Sequence, residues 1–261
     1  MDLGLKGKTA LVLAGGGGLG RAIAKSLATE GANVAVAGIG STSIDGSIAD
    51  LKAIGGKCMS LIWDLTDLSV IDANISKIEG ELGPISILVN NTGGPPAAAA
   101  AGQDTAVWAA QFQSMVLSII AITDRVLPGM RSRGWGRILT STSSGVIAPI
   151  PNLAISNALR LSLVGWSKTL AGEVGKVGIT VNIVVPGRIA TSRVASLDNA
   201  RAKREGRSVE EVAAESQRAI PVGRYGKPEE YAEVVAFLAS ERASYITGSV
   251  IRVDGGMIPS I

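Results

Sequence analysis

The sequence predicts one α/β domain built on a doubly wound parallel sheet, with residues 1–261 forming a single unit. The 261 residues suit one such unit and contain no linker, and a hydrophobic fraction of 46% supplies a core. Short aliphatic runs also alternate with longer helical patterns, which is typical of parallel strands connected by helices. The predicted strands are Thr9 to Leu13, Asn33 to Ala37, Cys58 to Trp63, Ile85 to Val89, Arg137 to Thr142, Thr180 to Val185 and Val250 to Val253.

The composition excludes several classes of function. The net charge of +3 comes from interspersed acidic and basic residues, so we expect no nucleic-acid partner. Cys58 is the only cysteine and histidine is absent, which excludes an internal disulfide, the usual zinc sites and every Ser-His or Cys-His pair. We therefore expect no metal. The N-terminus lacks a signal-peptide pattern and no apolar run reaches membrane-spanning length, so we expect a cytoplasmic protein without a membrane segment.

A glycine-rich turn follows the first predicted strand. Residues Ala14 to Gly20 read AGGGGLG and lead into a predicted helix that begins near Arg21. Glycines allow a tight turn and a close approach of the backbone to a pyrophosphate, whose charge meets the free N–H groups at the helix N-terminus. The strand, the turn and the helix together predict a Rossmann-type fold that binds a dinucleotide.

Several spaced motifs resemble those of the short-chain dehydrogenase/reductase family over essentially the whole chain, in the manner of its 3-oxoacyl-carrier-protein reductases. Gly18 and Gly20 match the family's glycine motif, whereas Leu13 and Ala14 depart from it. Further matches are Asp64, Asn90 to Gly93, Pro186 to Thr191, and Asp254-Gly255-Gly256. The resemblance implies a nicotinamide cofactor held by Gly16, Gly18, Leu19, Gly20, Ser41, Asp64, Leu65, Asn90, Thr92, Gly93, Arg160, Pro186, Gly187, Ile189 and Thr191.

The end of the second predicted strand bears on the choice of cofactor. It reads Ala37-Gly38-Ile39-Gly40-Ser41 and contains no acidic residue. A carboxylate there would bind the ribose 2′-hydroxyl of NAD and repel the 2′-phosphate of NADP, so its absence favours NADP, with NAD as the alternative. No Arg or Lys stands there to pair with a phosphate, however, and the hydroxyls of residues 41–43 are equally suited to capping a helix.

The resemblance also indicates the catalytic positions, and the chain departs from the family there. Ser143 matches the family's serine, but Ser156 and Arg160 stand at the positions of its tyrosine and lysine, and Met115 stands at that of its asparagine. The i to i+4 spacing puts Ser156 and Arg160 on one helical face. Serine is a far weaker acid than tyrosine, and arginine stays protonated. We therefore expect Ser143, Ser156 and Arg160 to bind substrate or cofactor and to stabilise charge.

Two classes of function are compatible with these residues. The first is an NAD(P)-dependent oxidoreductase that transfers hydride to a small-molecule ketone or to an activated alkene. The ketone is the more common acceptor in the family, and the alkene needs less acid catalysis. The second is a dinucleotide-binding regulatory or structural subunit without turnover. A lyase like the halohydrin dehalogenases fits poorly because that family keeps its tyrosine. Arg188 suits an anionic substrate or a cofactor phosphate equally well.

Two other features concern access and assembly. Residues 192–221 follow the end of a predicted strand and are expected to form a substrate lid, with a solvated helical face as the alternative. Within them, Ser208 to Glu211 form a capping sequence that predicts the start of a helix. The segments at 104–130 and 152–172 carry very few charges. Such helices are either buried within one subunit or packed across a homo-oligomer, which would be a dimer or a tetramer.

Overall fold

The computed structural model describes residues 2–261, which contain a seven-stranded sheet with every strand pair parallel. The strand order is β3-β2-β1-β4-β5-β6-β7, so the order reverses between β1 and β4. All the predicted strands are confirmed, with ends that differ by at most one residue. The bounds are β1 (Thr9–Leu13), β2 (Asn33–Gly38), β3 (Cys58–Ile62), β4 (Ile85–Asn90), β5 (Gly136–Ser141), β6 (Ile179–Pro186) and β7 (Val250–Val253).

Helices cover both faces of this sheet, as a doubly wound fold requires. In β1, Ala10 and Val12 belong to one apolar cluster while Leu11 and Leu13 belong to another, so side chains on both faces of this strand are buried. Helices α1, α2 and α9 contribute to the first cluster and α3, α5 and α6 to the second. The helices are α1 (Gly18–Thr29), α2 (Ser41–Ile54), α3 (Ile71–Leu82), α4 (Thr105–Phe112), α5 (Ser118–Arg133), α6 (Ala154–Val174), α7 (Ser192–Glu205), α8 (Val209–Arg218) and α9 (Pro228–Leu238).

The two segments with few charges, 104–130 and 152–172, form helices that bury one side and leave apolar side chains exposed on the other. A π-helical turn at Gln113–Leu117 joins α4 to α5 into the continuous stretch Thr105–Arg133. This stretch is long and apolar enough, by length and composition only, to cross a membrane, so the expectation that no apolar run reaches that length was wrong. Buried residues such as Ile122 and Val126 pack into the core of the sheet. Phe112, Leu117 and, on α6, Leu161 remain exposed.

The predicted lid folds as two helices that leave the sheet after β6. Thr191 caps α7 by accepting the N–H of Val194. Ser208 and Glu211 form the expected capping box at the start of α8, because each side chain accepts the backbone N–H of the other residue. Two arginines and two glutamates, Arg201, Glu205, Arg207 and Glu215, form ion pairs that join the end of α7 to α8.

The glycine turn fixes the position of α1 on the sheet. The helix begins at Gly18, three residues before the predicted start near Arg21, because the glycines themselves form its first turn. A Cβ on Gly20 would overlap the carbonyl oxygen of Ala14 and reach 3.0 Å from Nδ2 of Asn91. Only glycine allows this approach, which brings the helix N-terminus directly over the end of β1.

We expect Gly20→Ala to lower the free energy of unfolding by about 1–3 kcal/mol, because the added methyl group must displace the backbone of Ala14. Gly80→Ala is the matched control, since it lies on an exposed turn of α3 where a Cβ meets nothing within 4 Å. This control should raise the free energy of unfolding by about 0.5–1 kcal/mol because alanine favours a helix. Urea denaturation measures both values, and a Gly20→Ala protein as stable as wild type would contradict the close approach.

Candidate functional site

A cleft of about 860 Å³ opens at the carboxyl ends of β1, β4, β5 and β6. This is the edge at which open α/β sheets bind ligands. The cleft is lined by many of the residues predicted from the sequence: Gly18, Leu19, Thr92, Gly93, Ser143, Ser156, Arg160, Pro186, Gly187, Ile189 and Thr191. Its lining does not include six other predicted residues: Gly16, Gly20, Ser41, Asp64, Leu65 and Asn90.

The glycine turn forms one wall of the cleft and has the features of an anion site. The N-cap residue of α1 is Gly17, and no side chain caps it, so the first N–H groups of the helix have no side-chain partner there. Thr191 stands opposite, with its Cγ2 3.7 Å from the position of a Cβ on Gly18. A pyrophosphate bound beside this contact would meet the N–H groups at the start of α1 and the hydroxyl of Thr191. Ala14 has φ +48°, a left-handed conformation that favours glycine.

The ends of β2 and β3 provide the polar groups expected around an adenosine. Gly40, rather than Ser41, is the N-cap residue of α2, and Ser43 Oγ donates to its carbonyl oxygen. Asp64 accepts the backbone N–H and the hydroxyl of Thr66, which lowers the pKa of its carboxyl. Ile39, at the carboxyl end of β2, is 74% exposed and carries no charge. The position that discriminates between the two nicotinamide cofactors is therefore neutral.

Arg160 lies on the floor of the cleft and is buried there as a cation. Its guanidinium donates to the carbonyl oxygens of Ser141 at 3.2 Å, Thr92 at 3.4 Å and Gly93 at 3.1 Å. It forms no ion pair with a carboxylate within residues 2–261. Burial is the main cause that lowers the pKa of Arg160 to about 10. Arg160 thus joins the segments that follow β4 and β5 and leaves a positive charge beneath the cleft.

Ser143 and Ser156 place hydroxyl groups at the same cleft. Ser143 follows the end of β5, and its Oγ accepts the N–H of Gly145 at 3.1 Å, which leaves the hydroxyl proton free to be donated. Ser156, on the first turn of α6, is buried and its hydroxyl has no hydrogen-bond partner among the described residues. Asn157 fixes this turn because its Nδ2 donates to the carbonyl oxygen of Ile150. These hydroxyls can stabilise negative charge on a bound oxygen.

Two asparagines at the end of β4 have different roles. The side chain of Asn90 is fully buried behind the cleft, where Nδ2 contacts the hydroxyls of Thr123 and Thr140. Asn91 lines the cleft and donates to the carbonyl oxygens of Leu13 at 3.3 Å and Ala14 at 3.5 Å. Asn91 therefore ties the end of β4 to the glycine turn. Sequence reasoning missed this residue, although it lies within the motif Asn90 to Gly93.

The mouth of the cleft is lined by arginines of the α7 region. Arg188 forms an ion pair with Asp198, which is buried and also accepts the hydroxyl of Tyr225 at 2.7 Å. Arg193, on the first turn of α7, donates to the carbonyl oxygen of Pro95 at 2.8 Å. Sequence reasoning considered Arg188 and missed Arg193, because only the fold brings the start of α7 against the segment that follows β4.

Among residues 2–261, no tyrosine and no lysine lines the cleft. Tyr231 is buried behind β5, where its hydroxyl is within hydrogen-bond distance of Ser141 Oγ (2.8 Å) and of the carbonyl oxygen of Val184 (3.1 Å). Burial raises its pKa. The ionisable side chains that line the cleft are Arg160, Arg188, Arg193, Arg201, Arg204 and Glu205. With these arginines and the hydroxyls of Ser143 and Ser156, the cleft can hold anions and stabilise negative charge.

Comparisons with known proteins assign almost the whole chain to one family of reductases. Residues 13–258 match the family described as enoyl-(acyl carrier protein) reductase. The chain is 36% identical over 259 residues to 3-oxoacyl-[acyl-carrier-protein] reductase of Escherichia coli, covering 98% of this chain and 99% of the relative.

Two of the similar solved structures show the same fold. L-sorbose reductase from Gluconobacter frateurii, complexed with NADPH and L-sorbose, is 30% identical with a TM-score of 0.94 and full coverage of both chains. YwfH, an NADPH-dependent reductase involved in bacilysin biosynthesis, is 28% identical with a TM-score of 0.92, covering 97% of this chain and 99% of YwfH. The chain therefore belongs to this family of short-chain dehydrogenases/reductases, as its sequence motifs predict.

Proposed function

We propose that this protein is an NADPH-dependent reductase that delivers hydride to an alkene activated by a carbonyl group. The observation that carries the proposal is the content of the cleft, in which two serine hydroxyls and a buried guanidinium surround a space that no tyrosine or lysine lines. Both similar solved structures described above are NADPH reductases by name. The proposal joins that cofactor to a site suited to stabilising charge.

The residues of this chain fit the cofactor. The N–H groups at the start of α1 and the hydroxyl of Thr191 would hold its pyrophosphate, with Gly20 and Gly187 permitting close packing. Thr92, Gly93 and Ile189 would lie along the nicotinamide riboside, and Ser41, Asp64 and Leu65 would surround the adenosine. The absence of a carboxylate at Gly38 and Ile39 removes the repulsion that a 2′-phosphate would meet. When bound, NADPH supplies the hydride.

The site residues then stabilise the charge that hydride addition creates. Hydride joins the β-carbon of the substrate, and the alkene electron pair moves toward the carbonyl oxygen to give an enolate. Ser143 and Ser156 would donate hydrogen bonds to that oxygen, and the positive charge of Arg160 lies beneath the site. A proton from water at the α-carbon completes the reduction. An enolate shares its charge between oxygen and carbon, so it needs a proton donor less than an alkoxide does.

A second candidate is reduction of a ketone. The names of the relatives favour it, since the Escherichia coli protein is a 3-oxoacyl reductase and the Gluconobacter protein reduces L-sorbose. Ketone reduction forms an alkoxide, which must take a proton within the site. In this chain, Ser156 and Arg160 are proposed to replace the family's tyrosine and lysine, so that proton would have to come through water. A subunit that binds dinucleotide without turnover is the third candidate, favoured by the same replacements.

Two features of the fold support the proposed lid and assembly. Residues 192–221 would act as a substrate lid because α7 borders the cleft, and the buried Asp198 holds α7 against Arg188 and Tyr225. The protein would be a homo-oligomer because α4 to α6 expose large apolar side chains, among them Phe112 and Leu161.

A pair of matched substrates separates the three candidates. We expect the protein to oxidise NADPH with a simple enone and to do so at least tenfold faster than with the corresponding saturated ketone, because the enone gives the more stable anion. NADPH absorbance and product analysis measure both rates. Faster turnover of the saturated ketone would favour carbonyl reduction, whereas tight NADPH binding without turnover of either compound would favour the binding subunit.

Charge at the end of β2 should control the choice of cofactor. We expect Ile39→Asp to weaken NADPH binding by about tenfold or more and to leave NADH binding the same or tighter, because the new carboxylate repels a 2′-phosphate and can accept a ribose hydroxyl. Ile39→Asn is the control because asparagine is similar in size to aspartate but carries no charge. Calorimetric titration measures both affinities, and equal NADPH affinity in the Asp and Asn variants would contradict the placement of the 2′-phosphate.

Replacement of the two polar residues on α6 tests their roles. We expect Arg160→Ala to lower kcat/KM by roughly 100-fold, because it removes the cation and leaves three carbonyl groups without a donor. Ser156→Ala should cost only about tenfold, since it removes one hydroxyl. Steady-state kinetics measures both losses, with thermal unfolding to identify folding defects and Lys77→Ala, on the exposed side of α3, as a surface control. Wild-type turnover in Arg160→Ala would rule out this role.

A further inference from the structure

The charge of the cleft is unbalanced. Five arginines and one glutamate, Glu205, are the ionisable residues that line it. The Glu205 carboxylate is already shared by Arg201 at 2.8 Å, Arg207 at 3.2 Å and Arg204 at 3.5 Å. It therefore balances charge at the end of α7 and leaves little negative charge for the rest of the cleft.

The remaining arginines fall into two groups. Arg188 has a carboxylate partner in Asp198, and Arg201 has a second one in Glu215. Arg160 and Arg193 form no ion pair with a carboxylate within residues 2–261, and each donates only to backbone carbonyl oxygens. These two guanidinium groups come from α6 and α7, and both contact the segment at residues 92–95. Together they give the cleft an excess of positive charge, which favours an anionic ligand.

Arg193 is held at the mouth of the cleft by its contacts with Gly94 and Pro95. Its Nη2 lies 3.1 Å from the position of a Cβ on Gly94, so a side chain at residue 94 would push the guanidinium away. The same nitrogen donates to Pro95 O at 2.8 Å. Although Arg193 is partly exposed, burial lowers the pKa of its guanidinium, and its positive charge in turn lowers the pKa of Arg160 to a smaller extent than burial does.

We propose that the substrate carries a carboxylate or another anionic group and that Arg193 binds this group at the mouth of the cleft while the reacting carbonyl lies against Ser143 and Ser156. The inference deepens the proposed function and rests on it. The guanidinium has further N–H groups besides the one given to Pro95, and two of them can bind a carboxylate side by side. A cofactor phosphate has its own partners at the start of α1, whereas Arg193 lies against the segment after β4.

A pair of substrates that differ only in charge tests the proposal. The probes are an enone that carries a carboxylate two methylene groups away from the alkene and the methyl ester of the same compound. We expect wild type to show a higher kcat/KM for the carboxylate than for the ester. Arg193→Gln should lower this acid-to-ester ratio by roughly 10- to 100-fold, because a charge-assisted hydrogen bond is lost. Lys77→Gln, an exposed charge change on α3 outside the cleft and the proposed lid, should leave the ratio unchanged.

Two results would overturn the proposal. An acid-to-ester ratio that is the same in wild type and Arg193→Gln would mean that Arg193 only clamps the segment at Pro95. A loss of NADPH affinity in Arg193→Gln with an unchanged ratio would assign Arg193 to a cofactor phosphate. Calorimetric titration of NADPH provides this second readout.

Binding measurements keep this proposal separate from the proposed reaction. If neither probe turns over, the saturated keto acid is titrated into the complex with NADP+ by calorimetry, using the same variants. Binding that weakens by 10- to 100-fold in Arg193→Gln and not in Lys77→Gln supports the anion site even though the reaction is wrong. Binding that is absent, or that does not depend on Arg193, contradicts it.

Discussion

The buried guanidinium of Arg160 is the interaction on which the site depends. Its hydrogen bonds to Ser141, Thr92 and Gly93 hold the carboxyl ends of β4 and β5 in fixed positions, and those ends carry the residues that border the cleft. A cation in this place is costly to bury without a carboxylate. The three carbonyl oxygens offset part of that cost, and a bound anion would offset more. The same residue therefore serves as a structural link and as a source of positive potential.

The fold was predictable because its signals are local. Strands buried on both faces leave nearly continuous aliphatic runs, which is why the predicted ends of every strand lie within one residue of the structure. The helix start near Arg21 was less accurate, since glycines rarely begin a helix unless a close approach such as that of Gly20 to Ala14 demands it. The capping box of Ser208 and Glu211 was readable for the same local reason.

The site was only partly predictable because side-chain direction and distant neighbours are tertiary properties. The motif at the end of β4 contains both asparagines, but only Asn90 was predicted to bind the cofactor, and the structure shows that Asn90 faces Thr123 and Thr140 whereas Asn91 reaches the glycine turn. The distance of 98 residues between Arg193 and Pro95 along the chain leaves no pattern that links them. The charge excess of the cleft likewise appears only when the partner of each arginine is known.

The location of transferred hydrogen tests the central claim most directly. An enone would be reduced with NADPH that carries deuterium at C4 of the nicotinamide, in ordinary water, and the product examined by NMR. Since the cleft is lined by arginines and serine hydroxyls that can stabilise an enolate, we predict deuterium on the β-carbon and a solvent hydrogen on the α-carbon of a saturated ketone. Deuterium on the carbonyl carbon of an allylic alcohol would contradict this mechanism.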